Sequence, residues 1–182
     1  MKYLKNRKTA IGITCIIVFI SILLGARISL IKLSDEALRV FNEGERQNGK
    51  GIPYDLDYIS EQCYNLTVVA GRYIKPEDVK ITEVLSGRDK LVAADTPGDK
   101  FEAKEKLLEA AMNLYEILGT MKLDERDQYY RDSFAVDIES RQLIISHNSY
   151  NEEALAFNKT LKQFPANILS KLTFVNKLEL YE

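Results

Sequence analysis

The chain has 182 residues, 46% of them hydrophobic and 29% charged, and a formal net charge of −2. That is enough for one domain with an appendage, too apolar for a disordered chain, and with no Trp and only nine Gly it suits helices better than a sandwich of turns and strands. Lys2, Lys5, Arg7 and Lys8 give the first 26 residues +4 and leave −6 for the rest, a balance that argues against nucleic acid as a partner.

After a basic tail over 1–8 comes TAIGITCIIVFISILLGA, an uncharged run bounded by Lys8 and Arg27. As a helix, eighteen residues reach about 27 Å, close to the ~30 Å hydrocarbon core of a bilayer. The flanking cations can snorkel to either surface, and the run extends to residue 33, so 9–33 is expected to be a single transmembrane anchor whose partner is the lipid bilayer. The rival reading is a cleaved signal peptide cut after Ala26. Leu24 is large for the minus-three position, and the apolar run exceeds the usual 7–15 residues of such a peptide. Four basic residues before the run against three after it favour a cytoplasmic N-terminus, with the soluble part outside the cytoplasm. Cys15 falls within the apolar run and Cys63 stands alone beyond it, so no disulfide framework is expected.

Residues 34–53 read as a short helix capped by Ser34-Asp35-Glu36 and ending near Phe41, followed by a Gly-rich linker, GERQNGKGIP. From Leu56 a helical stripe of Leu56, Ile59, Cys63, Leu66, Ala70 and Tyr73 begins the bundle assigned to 54–182. Pro76 is placed in the first turn of the next helix, which carries Val84, Leu85, Leu91 and Val92. Thr96-Pro97 then reads as cap and first residue of a helix whose stripe holds Phe101, Leu108, Ala111, Tyr115 and Leu118, widened by Leu107, Leu114 and Met121. Gly119 is expected to end it in a left-handed conformation.

The last helix is expected to be the longest. Tyr129, Val136, Leu143, Tyr150, Phe157 and Phe164 are seven apart throughout, with Ser133, Ser140, His147, Ala154 and Leu161 filling the other half of the repeat. Pro165 must stop or kink it, leaving a bent amphipathic tail from 166. The fold expected is all-α: a transmembrane helix followed by a long antiparallel, four-helix-bundle-like domain.

Tyr150-Asn151, Phe157-Asn158, Phe164-Pro165 and Asn167 resemble the C-terminal signature of the LemA family of bacterial membrane-anchored proteins. Asn65-Leu66, Tyr73, Lys75, Glu77 and Val84 with Arg88 fall in the order of that family's first bundle segment. The resemblance covers roughly residues 55–176. Tyr64 stands where the family usually has proline and Pro76 where it often has histidine. Gly119-Thr120-Met121-Lys122-Leu123 replaces its usual Tyr-Pro-Asp-Leu turn. The family has no well-defined biochemical activity, so the resemblance implies an architecture and an envelope location, without a reaction.

No residue set suggests catalysis, a cofactor or a metal. His147 is the single histidine, and a di-metal bundle would want Glu-x-x-His where this chain has Ile144. It is expected in a polar core or boundary layer with Ser140. Cys63 is expected to be a packed thiol. Glu102, Glu105, Glu109, Asp124, Glu125 and Asp127, interleaved with Lys104, Lys106, Arg126 and Arg131, read as a solvated face. Asn65, Asn151 and Asn158, with Tyr150 and His147, are the polar positions between helices that stand out. They are read first as hydrogen-bonded register devices. The rival is a small polar pocket. The function expected is a non-catalytic interaction or scaffold module with a protein partner in the envelope. The alternatives are a sensor or ligand-binding bundle and, more remotely, a membrane-tethered hydrolase.

Overall fold

The computed structural model describes residues 7–46 and 48–182. The described residues form helices and no strand: α1 (Arg7–Glu43), α2 (Ile52–Ala70), α3 (Val79–Ala93), α4 (Pro97–Gly119), α5 (Glu125–Ser146), α6 (Tyr150–Thr160) and α7 (Ala166–Thr173). The all-α expectation is met. The chain divides into two compact units, one holding the N-terminal segment up to Leu38 with Glu152–Leu178, the other Arg39–Asn151 with Glu179–Glu182. Residues 1–6 of the basic tail, and Gln47 in the linker, lie outside the described residues.

In the first unit, α1 exposes the apolar side chains of its N-terminal half, and an 18-residue window of it is long and apolar enough to cross a membrane. Beyond that window Leu30 turns inward and packs with Phe157 and Leu161, backed by Ala166, Val175 and Leu178. The separate short helix expected from Ser34 does not form, because α1 runs unbroken to Glu43. No Gly or Pro falls between Gly25 and Gly44, so nothing ends the helix at Ser34, and a capping residue alone does not stop a helix already propagating. Gly44, at φ +76°, supplies the left-handed turn that does. The expected linker follows, and α2 then starts with Pro53 in its first turn.

In the second unit α2 is the hub, packed against α3, α4 and α5, with α3 also against α4. Of its expected stripe Leu56, Ile59, Cys63, Leu66 and Ala70 are buried, while Tyr73 lies beyond the end of the helix and is half-buried. Facing them are Val84 and Leu91 from α3, and Leu107, Ala111, Leu114 and Leu118 from α4. Thr96 caps α4 as expected, its hydroxyl accepting from the Asp99 amide at 3.2 Å. On α3 a Cβ at Gly87 would stand 3.2 Å from the Leu107 Cα, so the missing side chain sets how closely α3 and α4 approach. Burial pushes the Cys63 thiol up to about 12, the nearby Arg88 guanidinium only partly opposing it. A thiol reagent at about pH 8 should therefore leave Cys63 untouched in the native protein and label it only once urea opens the bundle, read by mass spectrometry.

Three local expectations change. Pro76 lies in the turn before α3, and the N-terminal cap is Asp78, whose carboxylate accepts from the Lys80 amide at 2.9 Å. Gly119 is the last helical residue and is not left-handed. A Cβ there would meet the Arg131 guanidinium, the far end of a flexible side chain, which would have to move aside. That guanidinium donates to the Tyr115 carbonyl at 3.1 Å and lies 4.0 Å from the Tyr115 ring centre.

The third change is the long last helix, which is two helices. His147-Asn148-Ser149 interrupts it, and the Asn148 side-chain oxygen accepts from the Tyr150 amide at 2.9 Å, a turn chemistry that competes with continuing the helix. The break shifts the buried face by two positions. On α6 the predicted row holds, with Tyr150, Ala154 and Phe157 buried and Leu161 buried just beyond. On α5 the inward residues are Asp127, Phe134, Ile138 and Ile145, while Tyr129, Val136 and Leu143 face outward.

Candidate interaction site

The polar positions singled out from the sequence divide into two places and an exposed turn. His147, at the C-terminal cap of α5, is exposed. Its Nδ1 lies 2.7 Å from the Leu143 carbonyl, and Ser140 is exposed as well. The core or boundary polar layer expected of these two does not form, because α5 turns its other face inward.

Asn151 and Asn158 do not bridge helices either. Each holds the extended C-terminal tail that follows α7. In the first unit the Asn158 side-chain nitrogen donates to the Leu178 carbonyl at 2.8 Å, and its oxygen accepts from the Leu178 amide at 2.9 Å. In the second unit Asn151 does the same for Tyr181, donating at 3.0 Å and accepting at 2.8 Å. A primary amide matches a peptide group donor for acceptor, so each asparagine satisfies both backbone groups of one tail residue as a neighbouring strand would. The Tyr150 hydroxyl donates to the Glu179 carbonyl at 2.6 Å. Burial, helped by the Glu179 carboxylate, pushes that phenol up to about 12, so it stays a protonated donor at neutral pH. Tyr181 then seats in an aromatic pocket, 6.1 Å from the Phe41 ring and 5.3 Å from Phe101 in an edge-on pose. Lys104 lies over both Phe101 and Tyr181. These groups are engaged within the chain itself, each asparagine amide being taken up by the tail residue it holds.

Asn65 differs. It is exposed on α2 and lines a groove of about 520 Å³ between α2 and α5. Gln62, Val68, Val69 and Arg72 line the α2 side. Arg126, Tyr129, Tyr130, Ser133, Phe134 and Asp137 line the α5 side. One end is built firmly. Asp127 is fully buried, paired with Arg72, and accepts from the Tyr73 hydroxyl at 2.8 Å. The Tyr73 hydroxyl in turn accepts from the Asp124 amide at 3.0 Å, and the Asp124 carboxylate caps α5 by accepting from the Asp127 amide at 2.8 Å. A buried carboxylate with this many donors pins the start of α5 against the end of α2. Farther along, Arg141 donates to Asp55 at 2.9 Å and stacks 4.0 Å from the Tyr58 ring. Arg88 likewise joins α3 to α2 through Ser60 at 3.1 Å.

The expected solvated face is therefore only partly solvated. Asp127 and Lys104 are buried and Arg131 is packed on α4, while Glu102, Glu105 and Lys106 are exposed. The arginines were hidden because their positions, Arg88, Arg131 and Arg141, read as polar gaps in an apolar pattern. Each stacks on a tyrosine of another helix, Tyr64, Tyr115 and Tyr58 in turn, 16 to 83 positions away in the chain, so no local signal marks them.

Among the groove's hydroxyls, that of Ser133 donates to the Tyr130 carbonyl at 3.1 Å. Among the described residues no group of three or more His, Cys, Asp or Glu is placed to hold a metal ion. What the walls offer is adhesive: two exposed tyrosines and two arginines around an apolar floor of Leu66, Val69 and Phe134, the residue types enriched at protein interfaces. No protein-family model matches the chain, and no curated protein matches it.

Proposed function

We propose that this protein is a single-pass membrane protein of the LemA type: an antiparallel helical bundle held at the bacterial envelope by α1, its folded part on the extracytoplasmic side, acting as a non-catalytic interaction or scaffold module. The observation that carries the reading is α1. It exposes a helical run long enough to cross a bilayer, whereas α2, α3 and α4 of the same chain bury their apolar stripes. A soluble helix with that surface would aggregate, and a bilayer covers it. The resemblance of Tyr150-Asn151, Phe157-Asn158 and Phe164-Pro165 to the LemA signature adds to the reading, and the two asparagines here have a shared task in holding the tail. The groove beside Asn65 is the surface assigned to the protein partner.

The sensor reading keeps one specific support, since a groove of about 520 Å³ lies within the range of small-molecule sites. A photo-crosslinking residue placed at Tyr129 in the intact, membrane-embedded protein separates the two. A scaffold should give a discrete protein adduct that disappears with Arg126→Ala, while the same probe at exposed Val92 on α3 gives none. Equal adducts at both positions would sink the groove as a docking surface. A small-molecule adduct at Tyr129 would favour the sensor. Loss of the protein from carbonate-washed membranes would sink the anchor.

A further inference from the structure

The helix α7 is built inside out. Its inward residues are small or polar, Ser170 and Thr173 being buried, while Ile168 and Leu172 are 52% and 49% exposed. Phe164 and Phe174 flank it at 81% and 83% exposure. On the helix, Ile168 and Leu172 are four apart and share one row, and with exposed Phe164 before α7 and Phe174 after it they give its outward side an apolar strip. A helix packed on a soluble core shows the reverse arrangement.

Two further observations say what covers this strip. The first is position. The Arg27 guanidinium donates to the Thr173 carbonyl at 2.6 Å, tying the end of α7 to the residue that closes the uncharged run of α1. An arginine at the end of a membrane-spanning run sits at headgroup level, and it holds α7 there. The second is charge. Residues 154–178 contain Lys159, Lys162, Lys171 and Lys177 and no acid, in a chain whose net charge is −2. Apolar strip, flanking lysines and headgroup depth together are the requirements for a helix lying in a membrane interface.

We propose that α7 lies in the plane of the bilayer surface from which α1 emerges, with Phe164, Ile168, Leu172 and Phe174 inserted at the boundary of headgroups and acyl chains and the lysines facing anionic lipid. The protein would then hold its membrane by a span and an interfacial helix clasped through Arg27. This inference rests on α1 being a transmembrane anchor.

The chain has no Trp, so single Trp probes report without background. Full-length Ile168→Trp, Leu172→Trp, Phe19→Trp in the span and Tyr129→Trp on exposed α5 are reconstituted in vesicles of phosphatidylcholine and phosphatidylglycerol. Acyl chains brominated near the headgroup serve as quenchers, and circular dichroism confirms each fold. The expected result is blue-shifted, strongly quenched emission for the two α7 probes, with quenching that deepens as the anionic fraction rises, and water-like, unquenched emission at Tyr129→Trp. Unquenched α7 probes alongside quenching of Phe19→Trp by deeper brominated chains would overturn the inference and leave the anchor standing. Blue-shifted but unquenched α7 probes would mean that protein, such as a second copy, covers the strip, and would overturn it too. Quenching of Tyr129→Trp to the same degree would reduce the effect to adsorption of the whole molecule. An unquenched Phe19→Trp would bring down the anchor and this inference together.

Discussion

Deleting the five residues from Leu178 onward is expected to destabilise the protein by at least about 4 kcal/mol. Three polar groups lose their partners: the amides of Asn158 and Asn151 and the hydroxyl of Tyr150. A buried group left unpaired costs about 1–3 kcal/mol, less where water reaches the vacated channel. The buried Tyr181 ring contributes about another 1.5–3 kcal/mol. The measurement is the urea midpoint of the full chain in detergent micelles. Asn158→Ala in the intact chain should cost about 1–3 kcal/mol, and almost nothing in the truncated chain, because the peptide group it holds is already gone. An equal cost in both backgrounds would show that Asn158 works through something other than the tail.

The asparagines show how far the residues could be read alone. Their seven-residue spacing and unusual number marked them from the sequence, and the register role proposed for them fails only in the partner. What was overlooked is that the last residues, Lys177-Leu178-Glu179-Leu180-Tyr181, alternate in polarity as an extended segment does. A side-chain amide can pair with such a segment as readily as with another helix. Periodicity served well on α2 and α4, whose buried faces are mostly apolar, although they also take in Asp55, Ser60, Thr67 and Lys104. It misled on α5, because a row repeating by sevens can be drawn through either of two faces, and the outward one held Tyr129, Val136 and Leu143. The inward face carries Asp127, Arg131 and Arg141, whose burial depends on partners from α2 and α4 that lie far away in sequence. Asn65, the one marked position left outside a clamp or turn, lines the groove, which is nearer to the rival reading of a polar pocket than to a register device.

The second large effect is at Phe157. Its ring is buried against Leu30 and Leu161, with Ala166, Val175 and Leu178 behind, so Phe157→Ala leaves a cavity that the two helices α1 and α6 cannot both close. The expected cost is about 3–5 kcal/mol, more than for Asn158 one residue away. Phe164 occupies the same place in the seven-residue repeat but is exposed, and Phe164→Ala in micelles should stay within about 0.5 kcal/mol of the parent. Urea midpoints of the two variants therefore test burial against pattern, and equal losses would mean that the repeat, and not the fold, governs these positions. The comparison needs the whole chain. A soluble fragment begun at Tyr54 lacks Leu30, so one wall of the Phe157 site is already missing there, along with Phe41, which packs 4.9 Å from the Tyr150 ring. In that fragment Phe157→Ala should cost visibly less than in the intact protein, because a ring that has lost its facing helix has less packing left to lose.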